Sequence, residues 1–312
     1  MSNRNTNIAK PFIKWVGGKT QLISSIEQAL PKGIRNVSEL TYIEPFVGGG
    51  AMLFWMLNNF KNIQKAVIND INKDLTTAYE TVRDSADDLV IELKRIEREY
   101  RALQSEESRK DFFLMQREKF NTKQLKNVEN TTLFIFLNRT CFNGLYRVNS
   151  KGLFNVPFGR YTNPTICDEN TIFADSEVLQ KVEILTGDFE QTFYHATENS
   201  LFYFDPPYKP LSQTSSFTSY AKEDFCDAEQ IRLKEFCDRL DEYGYMWILS
   251  NSDVKSNDPS NNFFDNLYMD YKIDRVWASR SINANPEKRG KLTELLITNN
   301  HDEKLVSHTQ FA

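Results

Sequence analysis

The chain has 312 residues, enough for one large domain or for a catalytic domain carrying a smaller insertion. Apolar residues make up 40% and aromatics 13%, with 23 Phe and 13 Tyr, which excludes a disordered chain and leaves ring faces for stacking on bases. The formal net charge of −5 argues against a protein that coats nucleic acid. One segment is locally basic nonetheless: between Arg117 and Tyr161, Arg117, Lys119, Lys123, Lys126, Arg139, Arg147, Lys151 and Arg160 are set against only Glu118 and Glu129.

In chain order, residues 11–19 read as a short extended segment and turn, and 21–30 as an amphipathic helix with Pro31 beyond it. Residues 40–45 read as a buried strand, 47–50 as a glycine turn, 51–60 as a helix and 65–69 as a second strand with Asp70 at its carboxyl end. This β-α-β opening implies a parallel sheet. From 75 to 126 the sequence is charged and helix-periodic, with Leu89, Leu93 and Ile96 on one face of the stretch 87–103. The apolar run 132–137 leads to a β-hairpin, 145–148 and 153–156 around a tip at 149–152. Strands return at 182–186, 201–204, 246–250 and 292–298, and 256–262 is loop-like. The expected architecture is a parallel α/β sheet interrupted by an insertion from about 76 to 164.

The four cysteines, Cys141, Cys167, Cys226 and Cys237, form no C-x-x-C pair, and His195, His301 and His308 have no zinc-ligand spacing. Reduced thiols and no metal are expected. The polar start MSNRNTNIAK is followed by no apolar stretch, so no membrane association is expected and the cytoplasm is the expected compartment.

The strand ends carry the chemistry. Glu44-Pro45-Phe46-Val47-Gly48-Gly49-Gly50 lies between a strand and a helix, where missing Cβ atoms let a ligand approach backbone N–H groups and a helix N-terminus. It lacks the glycine spacing of dinucleotide sites and the G-K-[ST] of a P-loop. Asp70, ending the next strand, is placed to accept both hydroxyls of a ribose. A ribose without a pyrophosphate suits S-adenosylmethionine. Asp188 could then take the adenine amine of that cofactor, with Phe189 against the ring. In Lys14-Trp15-Val16-Gly17-Gly18-Lys19, Trp15 supplies a stacking face and Lys19 a cation for the cofactor's carboxylate.

Asp205-Pro206-Pro207-Tyr208 follows an apolar strand, so it lies at the carboxyl edge of the sheet, stiffened by its prolines. An aromatic amine is a poor nucleophile because its lone pair is delocalised into the ring. Two acceptors on its N–H bonds draw the nitrogen toward tetrahedral geometry. Here the Asp205 carboxylate would take one hydrogen and the Pro206 carbonyl the other, while Tyr208 stacks on a base that has left the duplex.

At these residues the chain resembles the Dam family of N6-adenine DNA methyltransferases over nearly its whole length. Trp15 and Lys19, 44–50, Asp70, 138–161, Gly187-Asp188-Phe189, 205–208, Leu249-Ser250-Asn251-Ser252 and 280–295 carry the likeness. Residues 142–147 and 214–220 look closest to methylases of GATC restriction-modification systems. The resemblance implies a Rossmann-like, S-adenosylmethionine-dependent methyltransferase sheet in an α/β fold, formed by 1–75 and 165–312. It also implies a helical plus β-hairpin target-recognition insertion at 76–164. Implied cofactor contacts are Trp15, Lys19, Asp70, Asp188, Phe189 and Asp205, with Pro45, Phe46 and Gly48 of the turn.

Base readout would come from the 138–160 hairpin, with Arg139 or Arg147 on guanine or on phosphate and Asn143, Lys151 and Arg160 beside them. The stretch 214–220, including Ser215, Ser216 and Phe217, would be a flap closing on DNA. Double-stranded DNA is the implied partner, with a restriction endonuclease as a functional pair; the alternative is an adenine methylase with another recognition site or an orphan maintenance role. The family's Asp at the head of the glycine motif is Glu44 here. A methylase acting on RNA or a protein amide would leave the basic hairpin unexplained, and a DNA-binding module without catalysis would leave Asp205 and Tyr208 unexplained.

Overall fold

Strong apolar runs become strands and the charged, helix-periodic stretches become helices. The computed structural model describes residues 8–17, 21–209, 225–279 and 291–299. In chain order the elements are α1 (Ile23–Ala29), β1 (Leu40–Glu44), α2 (Ala51–Asn59), β2 (Ile63–Asp70), α3 (Lys73–Asp84), α4 (Ala86–Ala102), α5 (Glu106–Asn121) and α6 (Asn127–Thr140). They continue with α7 (Glu169–Leu179), β3 (Val182–Thr186), β4 (Ser200–Phe204), α8 (Asp227–Glu242), β5 (Met246–Ser252), α9 (Phe263–Leu267), β6 (Lys272–Ser279) and β7 (Lys291–Thr298). Among the described residues no helix is long and apolar enough to cross a membrane.

The chain packs as two units, one holding 8–17, 47–59 and 70–187, the other holding the remaining described residues. The second unit carries the mixed sheet of a Rossmann-like α/β fold, in the order β2-β1-β4-β5-β7-β6. β2, β1, β4 and β5 are parallel. Every residue of β1, β4 and β5 is buried, which explains why they read as continuous apolar runs without alternation. Phe236 of α8 packs edge-on against Phe202 and Phe204 of β4. A wholly parallel sheet is not what forms: β7 runs antiparallel to both β5 and β6. β6, unexpected from the sequence, is the edge strand, and its Lys272, Asp274 and Arg275 supply the charge that keeps such an edge from pairing with another chain.

The first unit is built on helices. α6 contacts α3, α4 and α5, and nearly all of its residues from Thr131 to Thr140 are buried, so the apolar run at 132–137 is a central helix. Residues 138–140 are its last turn, so the hairpin begins at Cys141 and not at Asn138. It closes through antiparallel bridges Cys141–Phe158 and Val148–Phe154. Its tip is the expected turn, with the Gly152 amide donating to the Asn149 carbonyl at 2.8 Å.

Candidate active site

The strand order places the switch point of the sheet between β1 and β4, because the chain leaves β1 toward β2 on one side and leaves β4 toward β5 on the other. Open α/β sheets bind ligands outside the carboxyl ends of such strands. Pro45 and Phe46 stand at the end of β1, and Asp205–Tyr208 at the end of β4.

The Asp205–Tyr208 loop is held at several points by the strands beside it. The Ser250 hydroxyl donates to Asp205 Oδ1 at 3.1 Å. The Asn251 amide donates to Gln230 at 3.0 Å, and Gln230 donates in turn to the Pro207 carbonyl at 3.2 Å. The Ser252 hydroxyl donates to the Lys209 carbonyl at 2.8 Å. Three consecutive residues of β5 thus fix three points of the loop. From β7, Glu294 accepts the Tyr208 hydroxyl at 2.7 Å. Burial and the charges of Asp205 and Glu294 push the Tyr208 hydroxyl well above its ordinary range, so it stays a donor. The roles of Gln230 and Glu294 carry no local sequence signal.

At the end of β1 the Pro45 carbonyl accepts from buried Asn69 at 3.0 Å, and Asn69 accepts from Gln191 at 2.8 Å. Phe46 is half-buried, 5.2 Å from Phe189 and 5.5 Å from Phe225. Phe189 itself is only 3% exposed, with the Arg232 guanidinium 4.3 Å from its ring centre, so Phe46 and not Phe189 offers ring surface. Arg232 also grips both oxygens of Asp188, at 3.0 and 2.8 Å, and thereby holds that carboxyl below the usual range.

In the first unit the glycine turn is folded onto Asp70. The Gly48 amide donates to Asp70 Oδ2 at 3.1 Å and the Asn72 amide to Oδ1 at 2.9 Å. Burial holds the Asp70 carboxyl above its ordinary value against these bonds. Tyr79 donates to the Gly48 carbonyl at 3.0 Å. Trp15 lies directly on the turn: a Cβ on Gly49 would stand 2.7 Å from Trp15 Cβ, which is why glycine is required there. Ile71, beside Asp70, is 81% exposed. A carboxylate fixed by backbone amides, next to an aromatic ring and an exposed aliphatic side chain, fits a nucleoside's diol and base.

Residues 15–282 match the family model of D12 class N6 adenine-specific DNA methyltransferases. The chain belongs to this family. It is 48% identical over 293 residues to the type II methyltransferase M.MjaIII of Methanocaldococcus jannaschii, covering 93% of this chain and 99% of that one. It is 39% identical to the type II methyltransferase M1.LlaDCHI of Lactococcus lactis, covering 93% and 95%. With the DNA adenine methylase of Haemophilus influenzae it shares 37% identity, covering 92% of each.

The methyltransferase's hairpin presents some of the expected DNA-contacting residues to solvent and withdraws another. Lys151 at the tip is exposed. Arg147 is exposed and donates across the hairpin to Asn155 at 2.7 Å. Arg160 is exposed, with only a 3.5 Å pair to Glu106. Asn143 is exposed in a left-handed conformation, φ 55°, beside Phe142, which is 52% exposed and was not among the expected DNA contacts. Arg139 is placed differently from these. It lies on α6 and donates inward to the Phe12 carbonyl at 2.7 Å, with Nε buried and burial lowering its pKa. Lys19, Ser215, Ser216 and Phe217, with the expected flap 214–220, lie outside the described residues.

Proposed function

We propose that this adenine-specific DNA methyltransferase modifies the N6 amine of adenine within GATC in duplex DNA, taking the base out of the helix and using S-adenosylmethionine. The observation that carries the reading is the anchored loop: Asp205 is held by Ser250, and the backbone that follows it is held at Pro207 and Lys209. An acceptor fixed in advance costs no reorganisation when charge develops. In this reading Asp205 accepts one amine hydrogen and the Pro206 carbonyl the other, and Tyr208, steadied by Glu294, stacks on the extruded base. Asp70 takes the cofactor's ribose hydroxyls, Ile71 lies against its adenine, and Trp15 closes over the glycine turn at Gly48. Asp188 reaches the adenine amine only by sharing its carboxylate with Arg232. When bound, the cofactor supplies a methyl group on positively charged sulfur.

Residues 76–164 are proposed as the target-recognition insertion, with Arg147 reading guanine, Asn143 and Phe142 presenting exposed side chains to the bases, and Lys151 and Arg160 on phosphates. The GATC assignment is supported by the likeness of 142–147, and pairing with a restriction endonuclease by the type II names of two relatives. Purified protein given labelled cofactor is expected to methylate adenine in GATC duplexes, and Asp205→Ala to abolish transfer. Treated plasmid that a methylation-blocked GATC cutter still cleaves completely would refute the recognition sequence. Label in RNA or protein and none in DNA would refute the acceptor.

A further inference from the structure

One side chain outside the roles assigned above touches two of the proposed cofactor-holding elements at once. Tyr146, between the two bridges of the hairpin, stacks its ring on Trp15 with centroids 5.7 Å and planes 23° apart. Its hydroxyl donates to Asp74 at 2.8 Å and also meets the Asn72 side chain. Asn72 caps α3 by accepting the amides of Asp74 and Leu75, and its own amide donates to Asp70. Asp74 is steadied further by Lys123 at 2.7 Å. On the hairpin side the Tyr146 ring packs against Phe154 of the returning limb, centroids 5.8 Å apart, and against Phe134 of α6 at 5.5 Å. Trp15 in turn sits on Gly48 and Gly49, with no room for a Cβ beneath it.

We infer that Tyr146 is a positioning residue joining the hairpin to the cofactor-holding residues: its ring seats Trp15, and its hydroxyl sets the Asn72–Asp74 turn and through it Asp70. This rests on the proposed cofactor roles of Trp15 and Asp70. Tyr146 meets no reacting atom in this arrangement, so its removal shows in cofactor affinity before it shows in the chemical step. Tyr146→Phe keeps the stack and loses the hydroxyl, whereas Tyr146→Leu loses both.

The test measures equilibrium binding of S-adenosylmethionine to the full-length variants, together with KM for the cofactor, kcat on a GATC duplex and thermal unfolding. Tyr146→Leu is expected to raise Kd and KM for the cofactor roughly three- to tenfold, the worth of a stacked aromatic pair, and kcat at saturating cofactor by a smaller factor to fall. Tyr146→Phe should shift the same constants less. Combining Tyr146→Leu with Trp15→Ala should weaken binding by less than the product of the single effects, because the two rings share one contact. The inference is overturned if Trp15→Ala and Asp70→Asn weaken cofactor binding while Tyr146→Leu does not. It is equally overturned if Tyr146→Leu lowers kcat, DNA affinity and melting temperature together, as a general loss of packing would. If Trp15→Ala and Asp70→Asn both bind cofactor like the wild type, the cofactor assignment itself fails and this inference falls with it.

Discussion

Ser250 makes no contact with the base in the proposed reaction, yet its hydroxyl donates to Asp205 and helps to orient it. A hydrogen bond to a charged group contributes about 1.5–3 kcal/mol, so Ser250→Ala should lower kcat roughly tenfold to a hundredfold with little change in melting temperature. Single-turnover methylation of a GATC duplex measures this, and an unchanged rate would remove Ser250 from the mechanism. Asp175 behaves differently. It is fully buried, accepts the Lys10 amide at 3.0 Å, and has one oxygen without a partner among the described residues. Burial pushes its carboxyl up to about 8, with Asp168 raising it further and Lys10 opposing. The folded protein therefore keeps this proton over a range where the unfolded chain, near the ordinary 3.8, has lost it. Its contribution to stability is complete in acid below that ordinary value and is lost as pH rises to about 8. Asp175→Asn should flatten the fall of melting temperature across that interval, and a variant with the wild-type slope would contradict the assignment. Asp205 and Asp70 were legible because each ends an apolar run; Asn69, Gln230 and Glu294 were not, because they act through partners far away in the chain.

The hairpin and α6 meet at Cys141, and the two arginines on either side should answer mutation differently. Arg147→Ala should weaken binding to GATC duplex by about 1–3 kcal/mol and relax discrimination at one position if it reads a base. Arg139→Ala should instead lower melting temperature, since it strips the Phe12 carbonyl of its donor, and leave the salt dependence of DNA binding as it was. The reverse pattern in binding and melting curves would support a DNA contact for Arg139. Asn138 and Arg139 adjoin the hairpin in sequence, yet both belong to the last turn of α6. A short run such as Thr132–Leu137, apolar throughout, carries neither strand nor helix period and is ambiguous until its neighbours are placed. β6 escaped notice for the opposite reason: an edge strand with charged residues and an exposed Trp277 has too little apolar content to stand out. β1 and β4 were readable because buried parallel strands favour long apolar runs.

At the scale of the whole molecule, net charge and binding partner pull in opposite directions: −5 overall, on a protein that binds polyanionic DNA. The exposed cations Arg147, Lys151 and Arg160 concentrate the opposite sign on the proposed reading surface. Affinity for duplex DNA should therefore fall linearly with the logarithm of salt concentration, and Lys151→Ala should reduce that slope by about one. Fluorescence anisotropy over a salt series reports it, and a slope near zero would contradict a phosphate-binding role for the segment. The late strand β7 carries a different consequence, one of timing. It pairs between β5 and β6 and supplies Glu294 to Tyr208, a residue 86 positions earlier in the chain. During synthesis the loop that bears Asp205 emerges long before its last support, and β5 waits with an open edge until residues 291–298 arrive. A fragment stopped short of residue 291 would carry Asp205 on a loop without its Glu294 support, beside a β5 left unpaired on one side.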